Sequence, residues 1–186
     1  MGDDRHHPAA EAADEAGPRS RTERGHFGQP DGQDAGKGGP RGYDAGKKTN
    51  GRKRHYLVET DGLLLRVKVH AADIQDYDGA RLVLAGTRVR FPRLRRVWTD
   101  GMYRGALVPW AKREAGVEWE IVAPPKGTKG LRVLPRRWVV ERSIARMGRY
   151  RRLSKDYEAT TETSEAMIYA AFGGTMLRKL VRRRAS

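Results

Sequence analysis

The chain has 186 residues, enough for one ordinary domain with tails. It carries 38 Lys and Arg against 23 Asp and Glu, a formal net charge of +15, and it contains no cysteine. These features exclude disulfide-rich and thiolate-metal proteins, and without an apolar run of transmembrane length or a signal-peptide core we expect a cytoplasmic protein with no membrane segment.

The positive charge is unevenly distributed along the chain. Residues 1–36 have a net charge of −4, so the remainder carries +19. A globular segment that basic is typical of proteins that bind a polyanion such as DNA or RNA. The first residues have almost no large apolar side chains and cannot bury enough surface to offset the entropy of ordering. We therefore predict a disordered tail over residues 1–37 and a domain over residues 38–186.

The first structured elements after this tail are predicted to be two strands. Asp61-Gly62 lies between the apolar runs YLVET and LLLRVKVH, and both residues tolerate the positive φ of a tight hairpin turn. Apolar and polar residues alternate in the second strand, which indicates one buried and one wet face. His70 falls on the wet face and is predicted to be a surface residue.

Helices and short strands are predicted to alternate after the hairpin. The segment AADIQDYDGARLVLAG has the caps of a short helix, and RRVWTD reads as a strand that places Asp100 at its end. Open α/β sheets carry their sites at the carboxyl ends of strands. A helix is predicted over residues 104–114, followed by the strand VEWEIVAPP, which Pro124 and Pro125 end.

A long helix with a single early carboxylate is predicted within residues 133–155. Pro135 suits the first position of a helix, because its missing N–H would be unpaired there anyway. Glu141 projects from this helix among many arginines. A solvated glutamate that balances these arginines is one interpretation, and a catalytic carboxylate is the other. An amphipathic helix over residues 164–184 is predicted to end the chain, with Gly173-Gly174 as a weak point.

The two carboxylates, Asp100 and Glu141, are 41 residues apart. That spacing leaves room for the intervening helix and strand, so a strand-end aspartate and a helix glutamate could meet across a sheet face. Carboxylates that converge in a basic protein indicate Mg²⁺, which prefers oxygen ligands and often binds one or two carboxylates together with substrate phosphates.

Three blocks of the sequence resemble the DDE transposases of bacterial insertion sequences. The first is GGPRGYDAGKKTNGRKRHYLVETDGLLLRVKVHAADIQDYDGA, the second is VWTDGMYRG, and the third is LPRRWVVERSIARMGRYRRLSKDYE. They occur in the family's order and at similar spacing, over about four-fifths of the chain. The resemblance implies an α/β ribonuclease-H-like mixed sheet flanked by helices.

The resemblance also implies a chemistry and a set of residues. Asp100 would be the second carboxylate of the family's triad and Glu141 the third, with Mg²⁺ or Mn²⁺ bound only if the triad is complete. The reaction would be phosphodiester cleavage and strand transfer at the ends of a transposon, with double-stranded DNA as partner and association with the nucleoid. The predicted DNA contacts are Arg52, Lys53, Arg54, Arg104, Arg136, Arg137, Arg149, Arg151, Arg152 and Lys155.

The front of the chain departs from the family pattern. Family members carry the first aspartate on a strand shortly before the GGPRGYDAG block, but this chain has GHFGQPDGQDAGKGG there. Asp31 is the nearest candidate for the first carboxylate and Asp34 the next, and neither follows a segment with strand propensity. We therefore expect the sheet to lack its first strand, and we find no helix-turn-helix before it.

Two origins would produce this pattern. The chain is either a degenerate copy, with residues 1–36 read out of frame, or one product of a two-frame element with a separately encoded helix-turn-helix half. A homo-oligomer on DNA fits either origin. The alternative function is a basic DNA-binding remnant without catalysis. RNA binding has little support, because no RNA-binding motif is present and the tryptophans are spaced like core residues.

Overall fold

The computed structural model describes residues 24–28, 39–123 and 135–184 of the chain. Within these ranges the strands are β1 (Arg24–Gly28), β2 (Gly42–Asp44), β3 (Thr49–Glu59), β4 (Leu64–Ala71), β5 (Arg96–Thr99) and β6 (Glu118–Ile121). The helices are α1 (Asp76–Leu84), α2 (Thr87–Arg90), α3 (Leu107–Trp110), α4 (Pro135–Gly148) and α5 (Thr161–Arg184).

The strands form one mixed sheet in which β1 is central. The order across the sheet is β4, β3, β1, β5 and β6, and β2 pairs with the first residues of β3. The strand β3 is antiparallel to both β4 and β1, whereas β5 is parallel to both β1 and β6. The carboxyl ends of β1, β5 and β6 therefore lie at the same edge of the sheet.

The strand β1 differs from the sequence prediction, which assigned residues 1–37 to a disordered tail and left the sheet without a first strand. Arg24–Gly28 pairs with β3 on one side and with β5 on the other. Gly25 is buried, and a Cβ there would lie 3.0 Å from Leu57 Cδ1 and 3.2 Å from Leu94 Cδ1. Hydrogen bonding to strands on both sides therefore stabilises β1, although its residues have little strand propensity of their own. The rest of the predicted tail lies outside the described residues.

The predicted hairpin is confirmed as β3 and β4. The turn between them includes Gly62 at φ 74°, and the Gly62 N–H donates to the Glu59 carbonyl over 2.8 Å. The strand with Asp100 at its end is confirmed as β5, and VEWEIV contains β6. The helix predicted over residues 104–114 is instead the short α3 followed by a π-helical turn over Ala111–Ala115.

Helices cover both faces of the sheet. Leu57 of β3 packs with Val83 of α1 and Leu107 of α3, whereas its neighbours Tyr56 and Val58 pack with residues of α4 and α5. This alternation follows from the two-residue period of a strand. Each hydrophobic core therefore lies between the sheet and one layer of helices. No helix within the described ranges is both long enough and apolar enough to cross a membrane.

His70 is buried, contrary to the prediction that it lies on the surface. Its ring stacks on that of His55, with centroids 4.8 Å apart, and α1 covers both rings at Gly79. The alternation in β4 indicated a wet face, but α1 packs on that face. Burial lowers the pKa of His70 and holds the pKa of His55 well below 6.5, and the charge of His70 would lower the pKa of His55 further.

The histidine pair should make the domain sensitive to mild acid. The pKa of each histidine is lower in the folded protein than in the unfolded chain, so the unfolded chain binds more protons as the pH falls below about 6.5. The free energy of unfolding is therefore expected to fall as the pH is lowered below about 6.5, by up to about 1.4 kcal/mol per pH unit for each histidine. Urea unfolding between pH 7.5 and 5 measures the slope. His55→Gln should reduce the dependence of the free energy of unfolding on pH. An equal slope in the variant would contradict the assignment of this dependence to the histidine pair.

Candidate active site and nucleic-acid interface

Asp100 follows directly after β5 at the shared carboxyl edge of β1, β5 and β6. It is half-buried and caps the 3₁₀ turn Gly101–Tyr103, because its Oδ1 accepts a hydrogen bond from the Met102 N–H over 3.0 Å. A carboxylate accepts such a backbone bond well because the first N–H groups of a helical turn have no partner within it. The strand end and the turn together place the carboxylate beside the end of the central strand.

The register of β1 identifies the residue beside Asp100. His26 pairs with Trp98, and the two strands are parallel, so the same register places Gly28 level with Asp100. Gly28 is also the last residue of β1. Glycine offers no side-chain ligand, so β1 presents no carboxylate at this level. Asp31 and Asp34, the predicted candidates for the first carboxylate, lie outside the described residues.

Glu141 lies in the first half of α4, the helix predicted to begin at Pro135. Val140, Ser143 and Met147 form the buried face of α4, and Glu141 is exposed on the other side. The helix contacts β1, β3 and β5. The Ser143 hydroxyl donates to the Gly62 carbonyl over 3.2 Å and so fixes α4 against the hairpin turn.

The carboxylates do not assemble into a metal site within residues 24–28, 39–123 and 135–184. No three His, Asp or Glu side chains in these ranges are arranged so that they could hold a metal ion. Asp100 and Glu141 are both in these ranges, so the structure does not bring them together with a third acid. Among the described residues, the site therefore lacks the third carboxylate that the family resemblance implies.

Three of the predicted DNA contacts are buried and belong to the core of the protein. Arg52 donates to Asp156 over 3.4 Å and to the carbonyls of Glu158 and Ala159 over 2.9 Å each. Arg54 donates to the Leu153 carbonyl over 2.8 Å. Buried charges need partners because desolvation is costly. These contacts fasten β3 to the segment between α4 and α5, so we exclude Arg52 and Arg54 from the DNA-binding surface.

Lys53 is also buried and lies between two aspartates. Its ammonium group is 2.9 Å from Asp44 Oδ2 and 2.9 Å from Asp76 Oδ1, and it donates to the Ile74 carbonyl over 2.9 Å. The hydrogen bond from Lys53 lowers the pKa of Asp44. The lysine therefore joins β2, β3 and the start of α1, and it too is excluded from the DNA-binding surface.

The remaining predicted contacts have different surroundings. Arg104, Arg149, Arg151 and Lys155 are exposed. Arg152 is exposed as well and donates to Glu158 Oε1 over 2.8 Å. Nothing in the structure describes the side chains of the other two predicted contacts, Arg136 and Arg137.

Comparison with known families supports the interpretation of the sequence. The family model described as "Transposase DDE domain" matches residues 20–173, about four-fifths of the chain. The match includes β1, both candidate carboxylates and the first half of α5. No curated protein sequence gave a significant match. Because the family model covers most of the chain, this protein belongs to the transposase DDE domain family.

Proposed function

We propose that this chain is a degenerate copy of the ribonuclease-H-like catalytic domain of an insertion-sequence transposase, which binds DNA but does not cut it. The sheet topology supports the fold assignment. A central β1 with an antiparallel neighbour on one side and a parallel neighbour on the other is the arrangement expected of a ribonuclease-H-like sheet. The family implies DNA as the substrate.

The observation that carries the proposal is Gly28 at the end of β1. A ribonuclease-H-like nuclease needs its first carboxylate on this central strand, beside the second carboxylate. Here the register places glycine level with Asp100. Asp100 directly follows β5, and Glu141 lies on the helix that contacts β1 and β5; this arrangement supports assigning them as the two later carboxylates. In this proposal Asp100 and Glu141 are the two later members of the triad, and glycine replaces the first.

Family members typically use a divalent metal ion, but the described residues do not provide for one. Metal-assisted phosphoryl transfer needs ligands held within about half an ångström of the productive geometry. A site with one ligand fewer also has one negative charge fewer, which weakens binding of a divalent cation. We therefore derive no cleavage step for the chain and assign Asp100 and Glu141 the role of remaining ligands.

Restoring the missing carboxylate should create a metal site. We expect Gly28→Asp to bind Mn²⁺ with a dissociation constant at least about tenfold lower than that of the unmodified protein, because a new carboxylate joins Asp100. Mn²⁺ electron paramagnetic resonance measures the binding. Nicking of a supercoiled plasmid that carries the ends of the element measures the chemistry. Circular dichroism confirms that each variant is folded.

Matched controls separate the proposal from its alternatives. Gly28→Asp combined with Glu141→Gln should lose the gained Mn²⁺ binding, because it removes a ligand from another element. The unmodified protein should show neither metal-dependent nicking nor tight Mn²⁺ binding. If the unmodified protein cuts the ends and Asp31→Asn abolishes the cutting, then Asp31 completes the site and the chain is an active transposase domain.

A further inference from the structure

A cleft between the end of α4 and the second half of α5 concentrates positive charge. Its volume is about 440 Å³. We call it the basic cleft, and its lining residues are Arg146, Arg149, Tyr150, Thr175, Arg178, Lys179 and Arg182. Among them, Arg149 alone was predicted from the sequence to contact DNA.

Three arginines of the basic cleft have no counterion among the described residues. No carboxylate of the described residues lies within ion-pairing distance of Arg146, Arg149 or Arg178. Burial lowers the pKa of Lys179, the nearby Asp61 opposes this effect, and Arg146 lowers the pKa further. Cations held this close repel one another, so a bound anion would relieve the repulsion.

The surroundings of Arg178 and Arg146 favour binding of a further hydrogen-bond acceptor in the cleft. Arg178 Nη2 donates to the Tyr150 hydroxyl over 2.8 Å, and that hydroxyl lies 3.3 Å from Thr175 Oγ1. Arg146 Nη1 is shielded from solvent and has no hydrogen-bond acceptor among the described residues. A buried charged donor without an acceptor is costly, and a phosphate oxygen is the acceptor that arginine binds best.

We infer that the basic cleft binds backbone phosphates of double-stranded DNA, an assignment that rests on the proposed function. Arg146, Arg149 and Arg178, which have no carboxylate partner among the described residues, together exceed the charge of a single small phosphate ligand. Arg142 and Arg146 lie one turn apart on α4, and Arg149 directly follows the last residue of that helix, so the three span about 10 Å, long enough to meet successive phosphates of one strand. Glu141 lies about 10 Å along α4 from Gly148, the residue before Arg149. DNA held beside Glu141 could therefore pass directly into the cleft.

The test compares two double variants that remove the same charge from opposite sides of the sheet. Arg146→Gln with Arg178→Gln alters the basic cleft. Arg88→Gln with Arg90→Gln alters exposed arginines of α2, on the side of the sheet that α1 covers. Fluorescence anisotropy of a labelled 30-base-pair duplex, titrated between 50 and 200 mM KCl, gives the affinity and its salt dependence.

The cleft variant should lose DNA affinity and salt dependence together. Two lost phosphate contacts should weaken binding by roughly 10- to 100-fold near 100 mM salt and reduce the slope of log K against log salt by about 2. The α2 variant should bind within about threefold of the unmodified protein, because distant exposed charges are screened. The loss should be about equal on duplexes of unrelated sequence, since phosphates carry no sequence information.

A variant without a change of charge separates a built site from general attraction. Tyr150→Phe removes the hydroxyl that holds Arg178 and leaves the net charge unaltered. Its DNA affinity should fall roughly two- to tenfold, the worth of one ordinary hydrogen bond. If the surface attracted DNA through net charge alone, Tyr150→Phe would leave the DNA affinity unchanged.

Specific outcomes would overturn the inference. If the cleft and α2 variants lose affinity equally, or if neither loses any, the basic cleft is not a phosphate site although the protein binds DNA. If the unmodified protein binds no duplex at any salt concentration, the proposed function fails as well. If the cleft variant keeps its DNA affinity but no longer sediments with vesicles of phosphatidylcholine and phosphatidylserine, the cleft serves anionic lipid instead.

Discussion

Replacing Asp156 with alanine is expected to lower the free energy of unfolding by about 3–5 kcal/mol. Asp156 is 1% exposed and lies 3.4 Å from Arg52 Nη1 and 3.9 Å from Arg54 Nη2. It also accepts a hydrogen bond from the Ser164 hydroxyl over 3.2 Å. The variant keeps two buried guanidinium groups and removes their shared counterion, and the cost of that uncompensated charge sets the size of the effect. Urea unfolding at pH 7.5 measures it.

Two controls test whether the buried charge is the cause. Asp156→Asn keeps the shape and a hydrogen-bond acceptor for Ser164, so a large loss in this variant assigns the effect to charge. Arg152→Ala removes an exposed ion pair with Glu158 and should leave the free energy of unfolding nearly unchanged. A stability of Asp156→Asn close to that of the unmodified protein would show that the Arg52 and Arg54 side chains do not depend on this carboxylate.

Replacing Gly79 with alanine is expected to destabilise the protein, although alanine is the better helix former. A methyl group at position 79 would overlap the Nε2 atoms of both His55 and His70, which are stacked and buried. Overpacking of this kind costs about 1–3 kcal/mol. For a domain of this size the melting temperature should fall by roughly 2–4 °C per kcal/mol. Differential scanning calorimetry measures the shift.

Gly173→Ala is the matched control for this prediction. Gly173 lies within α5, and a methyl group there meets no atom within 4 Å. This variant should gain up to about 1 kcal/mol from helix propensity alone, so the two substitutions should shift the melting temperature in opposite directions. His70→Ala combined with Gly79→Ala should be less destabilised than the sum of the single variants, because the removed ring makes room. Additive losses would contradict the proposed overlap.

The sequence by itself determined the elements whose signals are local. The pair Asp61-Gly62 between two apolar runs predicted the β3–β4 hairpin, because few residues tolerate the backbone of that turn. Pro135 and the apolar spacing after it predicted α4, and the short run before Asp100 predicted β5. The family was identified from the same blocks, since they contain the residues on either side of Asp100 and Glu141.

Only the tertiary structure decided the role of the residues at the front of the chain. Arg24–Gly28 contains two glycines and has little strand propensity, yet β3 and β5 complete its hydrogen bonds on both sides. That pairing joins segments about 30 and 70 residues apart, which no local pattern reveals. It also placed Gly28 beside Asp100, a relation that depends on the parallel register and could not be read from residue spacing.

The tertiary structure also decided which basic residues are buried and which are exposed. Arg52 and Arg54 have the same local character as the exposed Arg149 and Arg151, but the segment between α4 and α5 covers the first pair. Charge in a sequence indicates a polyanion partner without saying which cations face it. The basic cleft formed because two helices about 30 residues apart bring Arg146 and Arg178 to one groove. Burial and helix packing, rather than composition, therefore selected the cations that remain available to DNA.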